Sequence, residues 1–320
     1  MYFRIRHLTR FQYSQPVTES LVEVRMHPRT EGRQRCLDYQ LAVTPKAPIH
    51  QYRDFLGNNV HHFSLPAAHR QLQLAAESVV EMTGWTELPA SLGTDGWKEL
   101  DAAVEAGDYW EMLLPSHFAK PTALVEELMR EIGAERRDDP LALLRDVNTR
   151  LSQVFDYVTG ATEVDSPVDR ALSLRRGVCQ DFAHIMIAVL RQLRIPARYV
   201  SGYLYHGKDD HDRSSEGATH AWVEAMLPRY GWVGFDPTNN LLAGDRHIRT
   251  AIGRDYADVP PSRGVFKGEA ATALSVAVSV TRCEDLPPEL AELVMNEEIM
   301  VQQAALVKEL EQQEQEQQQQ

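Results

Sequence analysis

Apolar side chains alternate with polar ones through most of the first 88 residues. The alternation is clear over residues 37–43, and Pro45 ends that run. A Gly-Asn-Asn turn at residues 57–59 precedes a further alternating stretch. A period of two predicts half-buried strands, and several short strands at regular spacing are typical of an antiparallel sandwich or barrel. We therefore expect residues 1–88 to form an all-β domain.

The spacing of apolar residues changes after residue 88. Residues 121–132 and 140–154 carry apolar side chains three and four positions apart, and each segment begins at a proline. This spacing predicts amphipathic helices, and Gly133 supplies the stop signal expected after the first of them. A third helical run and three strand patterns follow. We expect residues 89–285 to form a single α+β domain.

Residues 286–320 form a third compositional region. Pro287 and Pro288 open a helical pattern, and residues 311–320 consist of seven Gln and three Glu. Such a segment has almost no apolar surface to bury, so its end is predicted to be frayed or disordered. We assign it as a helical, Gln/Glu-rich tail outside both domains.

Charge and hydropathy narrow the range of partners. The chain has 320 residues, of which 33 are Lys or Arg and 46 are Asp or Glu, so its net charge is −13. A phosphate-backbone binder shows a basic surface, so we expect no nucleic-acid partner. No apolar run approaches the roughly 18 residues of a membrane-spanning helix, and no signal peptide is recognisable. We therefore expect no membrane partner.

Three cysteines, Cys36, Cys179 and Cys283, are an odd and sparse number for a chain of this length. They do not form a disulfide framework and are typical of a protein in a reducing compartment. The sequence therefore predicts a cytoplasmic location. No pattern in it predicts an oligomeric state.

Candidate chemistry is concentrated between residues 175 and 240. Cys179 lies within a residue or two of the start of the helical run, which Pro196 ends. Strand patterns follow, of which the second opens with His220 and the third ends at Asp236. A helix followed by antiparallel strands would bring these three side chains together from three different elements.

A cysteine nucleophile needs a partner that favours its thiolate. A free thiol has a pKa of about 8.5 and is only a few per cent ionised at neutral pH. A helix N-terminus contributes roughly 0.3–1 kcal/mol, which is less than one pKa unit. An adjacent imidazolium is therefore the decisive requirement, and a carboxylate orients that imidazole and stabilises its charge.

Each of these residues also has a structural interpretation. A cysteine on a helix is commonly an inert core thiol, a histidine before a strand is commonly structural, and an aspartate before proline commonly forms a turn. The order of the three residues favours catalysis over these alternatives. Neither a CxxC nor an HExxH motif occurs, and one cysteine with one histidine leaves too few ligands for zinc. We therefore expect neither a metal nor another cofactor.

Three segments carry a resemblance to a known family. They read Arg-Gly-Val-Cys-Gln-Asp at residues 176–181, Thr-His-Ala-Trp-Val-Glu at 219–224 and Gly-Trp-Val-Gly-Phe-Asp-Pro-Thr at 231–238. In this order they resemble the transglutaminase-like superfamily. The chain is more closely similar to the bacterial members with an N-terminal β domain, which are commonly described as cysteine proteases. The resemblance extends from residue 1 to about residue 283.

The resemblance implies a papain-like fold in which a cysteine-bearing helix packs on an antiparallel sheet. It also implies Cys179 as nucleophile, His220 as base and Asp236 as the orienting acid. The implied activity is acyl transfer on amide bonds of a peptide or protein substrate through a thioester, with hydrolysis favoured. A protein-glutamine gamma-glutamyltransferase and a non-catalytic binding module with the same fold are the alternatives.

Further residues receive secondary roles. The backbone N–H of Cys179 is the simplest donor to an oxyanion, and Tyr157 or Gln180 could assist it. Trp222 is expected to wall the site or pack the sheet. Residues 245–247 and 253–256 match stretches typical of the bacterial relatives, and we expect them to brace the loop after Asp236.

Overall fold

The computed structural model describes residues 1–84, 87–107, 109–137 and 139–285. The predicted tail, residues 286–320, lies outside the described residues. Within these ranges, the helices are all too short or too polar to cross a membrane.

Five antiparallel strands fill the first 82 residues, as the alternating pattern predicts. They are β1 (Tyr2–Val24), β2 (Gln34–Thr44), β3 (His50–Arg53), β4 (Asn59–Leu65) and β5 (His69–Met82). Their spatial order is β2-β5-β1-β4-β3. The first half of β1 pairs with β5 and its second half pairs with β4, with an irregularity in register between Gln12 and Val17. A single long strand thus joins both parts of the domain around one apolar core.

The described residues of the second domain form five α-helices, two short 3-10 helices and a second sheet. The helices are α1 (Gly96–Ala106), α2 (Ala123–Glu131), α3 (Pro140–Val154), α4 (Val168–Leu174) and α5 (Cys179–Gln192). Two short strands, β6 (Asp156–Tyr157) and β7 (Arg176–Gly177), pair in parallel just before α5. The helices predicted over 121–132 and 140–154 are confirmed, with Thr122 and Asp139 as their N-caps.

An antiparallel sheet packs against α5. Its strands are β8 (Ala197–Leu204), β9 (His220–Leu227), β10 (Gly231–Asp236), β11 (Leu241–Leu242) and β12 (His247–Gly253), in the order β11-β10-β9-β8-β12. Almost all of α5 is buried, and it packs on Ala221, Val223 and Ala225 of β9. The expected α+β arrangement of a cysteine-bearing helix on an antiparallel sheet is confirmed.

The chain then returns to the first domain. Strands β13 (Ser262–Lys267) and β14 (Thr272–Cys283) both pair with β1. Residues 262–283, which the division at residue 88 assigned to the second domain, therefore complete the N-terminal sheet. Residue spacing alone gave no sign of this return, because strand pairing over such a separation leaves no local pattern.

Two amide side chains from the first domain bind the free edge of β12. Gln34 accepts a hydrogen bond from the backbone N–H of Arg249 and donates one to its carbonyl, both at 2.8 Å. Asn58 does the same for Ile252, at 2.9 and 2.8 Å. These amides supply the partners that a neighbouring strand would supply, so the edge is covered and the two domains are held together.

We predict that Gln34→Ala destabilises the whole molecule. Gln34 is 2% exposed, and its loss removes the partner of the Arg249 N–H and one of two partners of the Arg249 carbonyl, which also accepts the backbone N–H of Arg29 at 3.0 Å. Unsatisfied buried groups of this kind cost about 1–3 kcal/mol. Urea unfolding measures the change. Gln71→Ala, at an exposed position of β5, is the matched control, and equal stability of the two variants would contradict the prediction.

Candidate active site

Cys179 is the first residue of α5, and the segment before it is tightly held. Asp181 folds back so that its carboxylate accepts the Val178 N–H at 2.8 Å and the Thr162 hydroxyl at 2.5 Å. A Cβ at Gly177 would lie 2.6 Å from an Asp181 carboxylate oxygen, so only glycine permits this return. The side chain of Asp181 therefore caps the helix and fixes where Cys179 emerges.

The three predicted catalytic side chains lie together. His220, the first residue of β9, donates from Nε2 to Oδ2 of Asp236, the last residue of β10, at 2.8 Å. The Cys179 thiol lies close enough to the His220 ring to help raise the pKa of that ring. Because Nε2 is engaged by Asp236, Nδ1 is the ring nitrogen that remains for Cys179. The histidine is 4% exposed, the aspartate is fully buried and the cysteine is partly accessible.

Opposite charges within this cluster stabilise each other. Burial alone would lower the pKa of His220, but the Asp236 carboxylate and the Cys179 thiol raise that pKa to about 10. Burial would raise the pKa of Asp236, but His220 and His247 hold it well below its usual range. The pair is therefore an imidazolium and a carboxylate at neutral pH, and the imidazolium lies against the thiol. That is the charge arrangement that favours a thiolate.

Asp236 accepts hydrogen bonds from every side. Oδ1 accepts the backbone N–H groups of Thr238 at 3.0 Å and Asn239 at 3.2 Å. Oδ2 accepts from His220, from the Asn239 side chain at 2.8 Å and from Nε2 of His247 at 3.2 Å. Five donors thus fix the orientation of one buried carboxylate.

Asn239 also attaches the polar loop that precedes β9. Its side-chain oxygen accepts the backbone N–H groups of Arg213 at 2.7 Å and Ser214 at 3.1 Å. The Arg213 guanidinium continues to the carbonyls of Ser152 and Phe155. No motif in the sequence assigns a role to this loop, and the structure connects it through the Asn239 amide to the Asp236 carboxylate.

The three secondary candidates occupy different positions. Tyr157 pairs with Gly177 in the short parallel ladder, and its hydroxyl lies 3.4 Å from Ser215. The Gln180 amide donates to the Val164 carbonyl at 2.8 Å, which is a contact that holds a loop. An oxyanion role for either residue stays a prediction.

Trp222 packs the sheet. It is 1% exposed and lies in a cluster with Val200 and Ile252, on the face of the sheet away from α5. Its ring is stacked near that of His220, with centroids 6.1 Å apart at 27°. Trp222 therefore packs against the His220 ring, and this is one of the two roles predicted for it from the sequence.

Sequence reasoning missed direct neighbours of the triad. His247 contacts Asp236 directly, whereas the sequence predicts only that residues 245–247 brace the loop after Asp236. Tyr256 lies close enough to Cys179 for the thiol to add to the burial that raises the tyrosine pKa. Both fall in the two segments noted as typical of bacterial relatives, which was the one available signal.

Three side chains of this cluster are of types that can bind a metal ion. Among the described residues, His220, Asp236 and His247 offer ligand atoms within 4.8 Å of one another. Hydrogen bonds to Oδ2 at 2.8 and 3.2 Å already account for the proximity of both imidazoles. The cluster is thus explained as a proton-bearing network.

A thiol at a helix start, beside a hydrogen-bonded histidine and aspartate on an antiparallel sheet, is typical of a papain-like or transglutaminase-like class of protein. Comparison with known protein families gives the same class. Residues 3–81 match the bacterial transglutaminase-like N-terminal region, and residues 126–237 match the transglutaminase-like superfamily. The chain belongs to this superfamily, in the bacterial form that carries the N-terminal region.

Similar proteins support that assignment. An uncharacterised protein of Mycobacterium leprae is 36% identical over 282 residues, which cover 87% of this chain and 98% of that protein. An uncharacterised protein of Mycobacterium tuberculosis is 35% identical over 304 residues, covering 88% and 93%. A protein-glutamine gamma-glutamyltransferase of Pseudomonas aeruginosa is 33% identical over 183 residues, or 52% of this chain and 26% of that protein.

One solved structure shares the fold over nearly the whole chain. It is a protein from Cytophaga hutchinsonii, described as a candidate cysteine protease, with a TM-score of 0.70 and 23% identity. The likeness covers 90% of this chain and 93% of the other, and at that identity it concerns the fold. The cytoplasmic location and the peptide or protein partner stay predictions.

We predict a specific pH dependence of stability. An imidazole whose folded-state pKa lies above its ordinary value of 6.5 stabilises the fold fully below that pH, and the contribution is lost as the pH rises toward about 10. Urea unfolding of wild type and His220→Gln should therefore differ most near pH 6 and less near pH 10. His50→Gln, at an exposed position, should show no such convergence. A gap between wild type and His220→Gln that widens with pH would contradict the assigned charge state.

Proposed function

We propose that the protein is a cysteine-dependent acyl-transfer enzyme that hydrolyses amide bonds of peptides or proteins. The observation that supports this most strongly is the hydrogen bond from His220 to the buried Asp236 carboxylate, with the Cys179 thiol close enough to that histidine to help raise its pKa. A thiol paired with an imidazolium is the nucleophile required for a thioester mechanism. The family resemblance to bacterial proteins described as cysteine proteases favours water as the final acceptor.

The first half of the reaction forms the thioester. The Cys179 thiolate attacks the amide carbonyl carbon, and the carbonyl oxygen becomes an oxyanion. The backbone N–H of Cys179, at the start of α5, is available to that oxyanion because the first N–H groups of a helix have no intrahelical partner. His220 then gives its Nδ1 proton to the departing nitrogen as the C–N bond breaks, which leaves a neutral imidazole and an acyl-enzyme.

The second half regenerates the enzyme. Neutral His220 takes a proton from water at Nδ1, and the hydroxide formed attacks the thioester carbon. The C–S bond breaks, the acid product leaves, and thiolate and imidazolium are restored. Throughout, Asp236 holds the ring through Nε2 and compensates its positive charge.

Transfer to an amine is the second candidate. The observation that favours it is the similarity of 52% of this chain to a Pseudomonas aeruginosa protein named as a protein-glutamine gamma-glutamyltransferase. Both reactions share the thioester and differ only in whether water or a lysine amine resolves it. A silent binding module is less favoured, because all three residues are present and in contact.

Cys179 should be alkylated faster than either other cysteine at neutral pH. Cys179 is partly accessible and lies beside the His220 ring, whereas burial, and then Asp38, raise the pKa of Cys36 to about 12. Iodoacetamide labelling followed by peptide mass spectrometry gives the order of reaction. Labelling of Cys36 before Cys179 would contradict the charge arrangement.

Turnover of a glutamine-containing peptide library, with and without a labelled primary amine, tests the reaction itself. We expect cleaved or deamidated peptides, and the same products with the amine present. Amine incorporation would instead support the transferase. Cys179→Ala should abolish turnover and Asp236→Asn should lower kcat by on the order of 10³–10⁴. Cys36→Ala is the matched control and should leave turnover unchanged, and the absence of turnover in the wild type would contradict the proposal.

A further inference from the structure

Asp236 has a second imidazole on its far side. His247, the first residue of β12, points Nε2 at the same Oδ2 that His220 contacts, at 3.2 Å against 2.8 Å. The two rings lie with centroids 6.0 Å apart and His247 is 4% exposed. Packing alone does not explain a second buried histidine beside this carboxylate, because an apolar side chain would fill the same space without the cost of burying a polar ring.

The tautomer of His247 is fixed by its other contact. The backbone N–H of Gly244 donates to His247 Nδ1 at 3.2 Å. Nδ1 must therefore be the acceptor of the ring, and the ring proton must be on Nε2, where it donates to Asp236. Burial lowers the pKa of His247, so the ring is neutral while His220 carries the charge. The two histidines thus present one imidazolium and one neutral donor to one carboxylate.

Neighbouring groups hold His247 in this position. The Trp222 ring lies edge-on to it with centroids 5.2 Å apart at 75°. Gly202 pairs with His220 on one side and with Arg249 on the other. A Cβ at Gly202 would lie 2.1 Å from the Ile248 carbonyl oxygen and 2.7 Å from the Trp222 ring, so the glycine permits the close approach of β12 and of Trp222 at this position.

We propose that His247 is a positioning residue that orients Asp236 toward His220 and so keeps His220 aligned with Cys179. This inference rests on the proposed function of the triad. Both ring nitrogens of His247 are engaged, one by Asp236 and the other by Gly244, so it acts through the carboxylate. Partners of this kind commonly change the activity of the group they orient by roughly 10–100-fold.

The unmodified enzyme provides the first test. Imidazole nitrogen NMR near neutral pH should show His247 as a neutral ring protonated at Nε2 and His220 as a doubly protonated ring. A charged His247, or one protonated at Nδ1, would overturn the proposal, because neither form fits both the Gly244 and the Asp236 contacts. This measurement needs no variant and no turnover.

Two variants provide the second test. H247L removes the donor, and H247Q keeps an amide N–H that can reach Asp236. We expect H247L to slow iodoacetamide labelling of Cys179 roughly tenfold or more, and H247Q to restore most of the rate. In substrate turnover the loss should be in kcat, with KM little changed. His50→Leu, at an exposed histidine of β3, is the matched control.

The outcomes separate this inference from the proposed function. Labelling of H247L at the wild-type rate, or equal losses in H247L and H247Q, would overturn the role of His247 even if the enzyme turns over amides. No turnover by the wild type, with a slow H247L and a rescued H247Q, would overturn the proposed reaction and support the positioning role. If H247L fails to fold, H247Q and the NMR assignment still decide.

Discussion

The Asp236 carboxylate has no exposed surface, and a charge in that position costs on the order of several kcal/mol unless surrounding groups replace its water. Two backbone N–H groups, one amide and two imidazoles do so here. Because Oδ2 receives three of these donors, the carboxylate cannot rotate without losing several bonds at once. The orientation of His220, and through it the charge beside Cys179, depends on this one buried anion.

The fold meets this requirement by ending several elements at one place. α5 begins at Cys179, β9 begins at His220, β10 ends at Asp236 and β12 begins at His247. Strand ends offer backbone groups without a ladder partner, and the turn after β10 directs those of Thr238 and Asn239 back to Asp236. These polar groups therefore lie at the rim of the sheet, while apolar side chains of α5 and β9 pack against each other further along.

The proximity of Cys179, His220 and Asp236 could be predicted from the sequence because each residue stands at a local signal. Cys179 lies two positions after a glycine at a helix start, His220 opens an apolar strand, and Asp236 precedes a proline. His247 has no such local signal. Its contact with Asp236 depends on the pairing of β12 with β8, and β12 lies three strands away from β10 in the sheet order. The return of β13 and β14 to β1 escaped prediction for the same reason, since long-range pairing is a property of the assembled chain.

The N-terminal domain is tied to the site through the same strand. Gln34 binds the backbone of Arg249, two positions beyond His247, and Asn58 binds that of Ile252 further along. An edge strand paired only with β8 would be free to twist or fray at its ends. With both amides in place, β12 is held on two sides, and so is the histidine at its start. The β domain thus holds the outer edge of β12, as neighbouring strands hold both edges of β9 and β10. It is a structural part of the site, although Cys179, His220 and Asp236 all lie in the other domain.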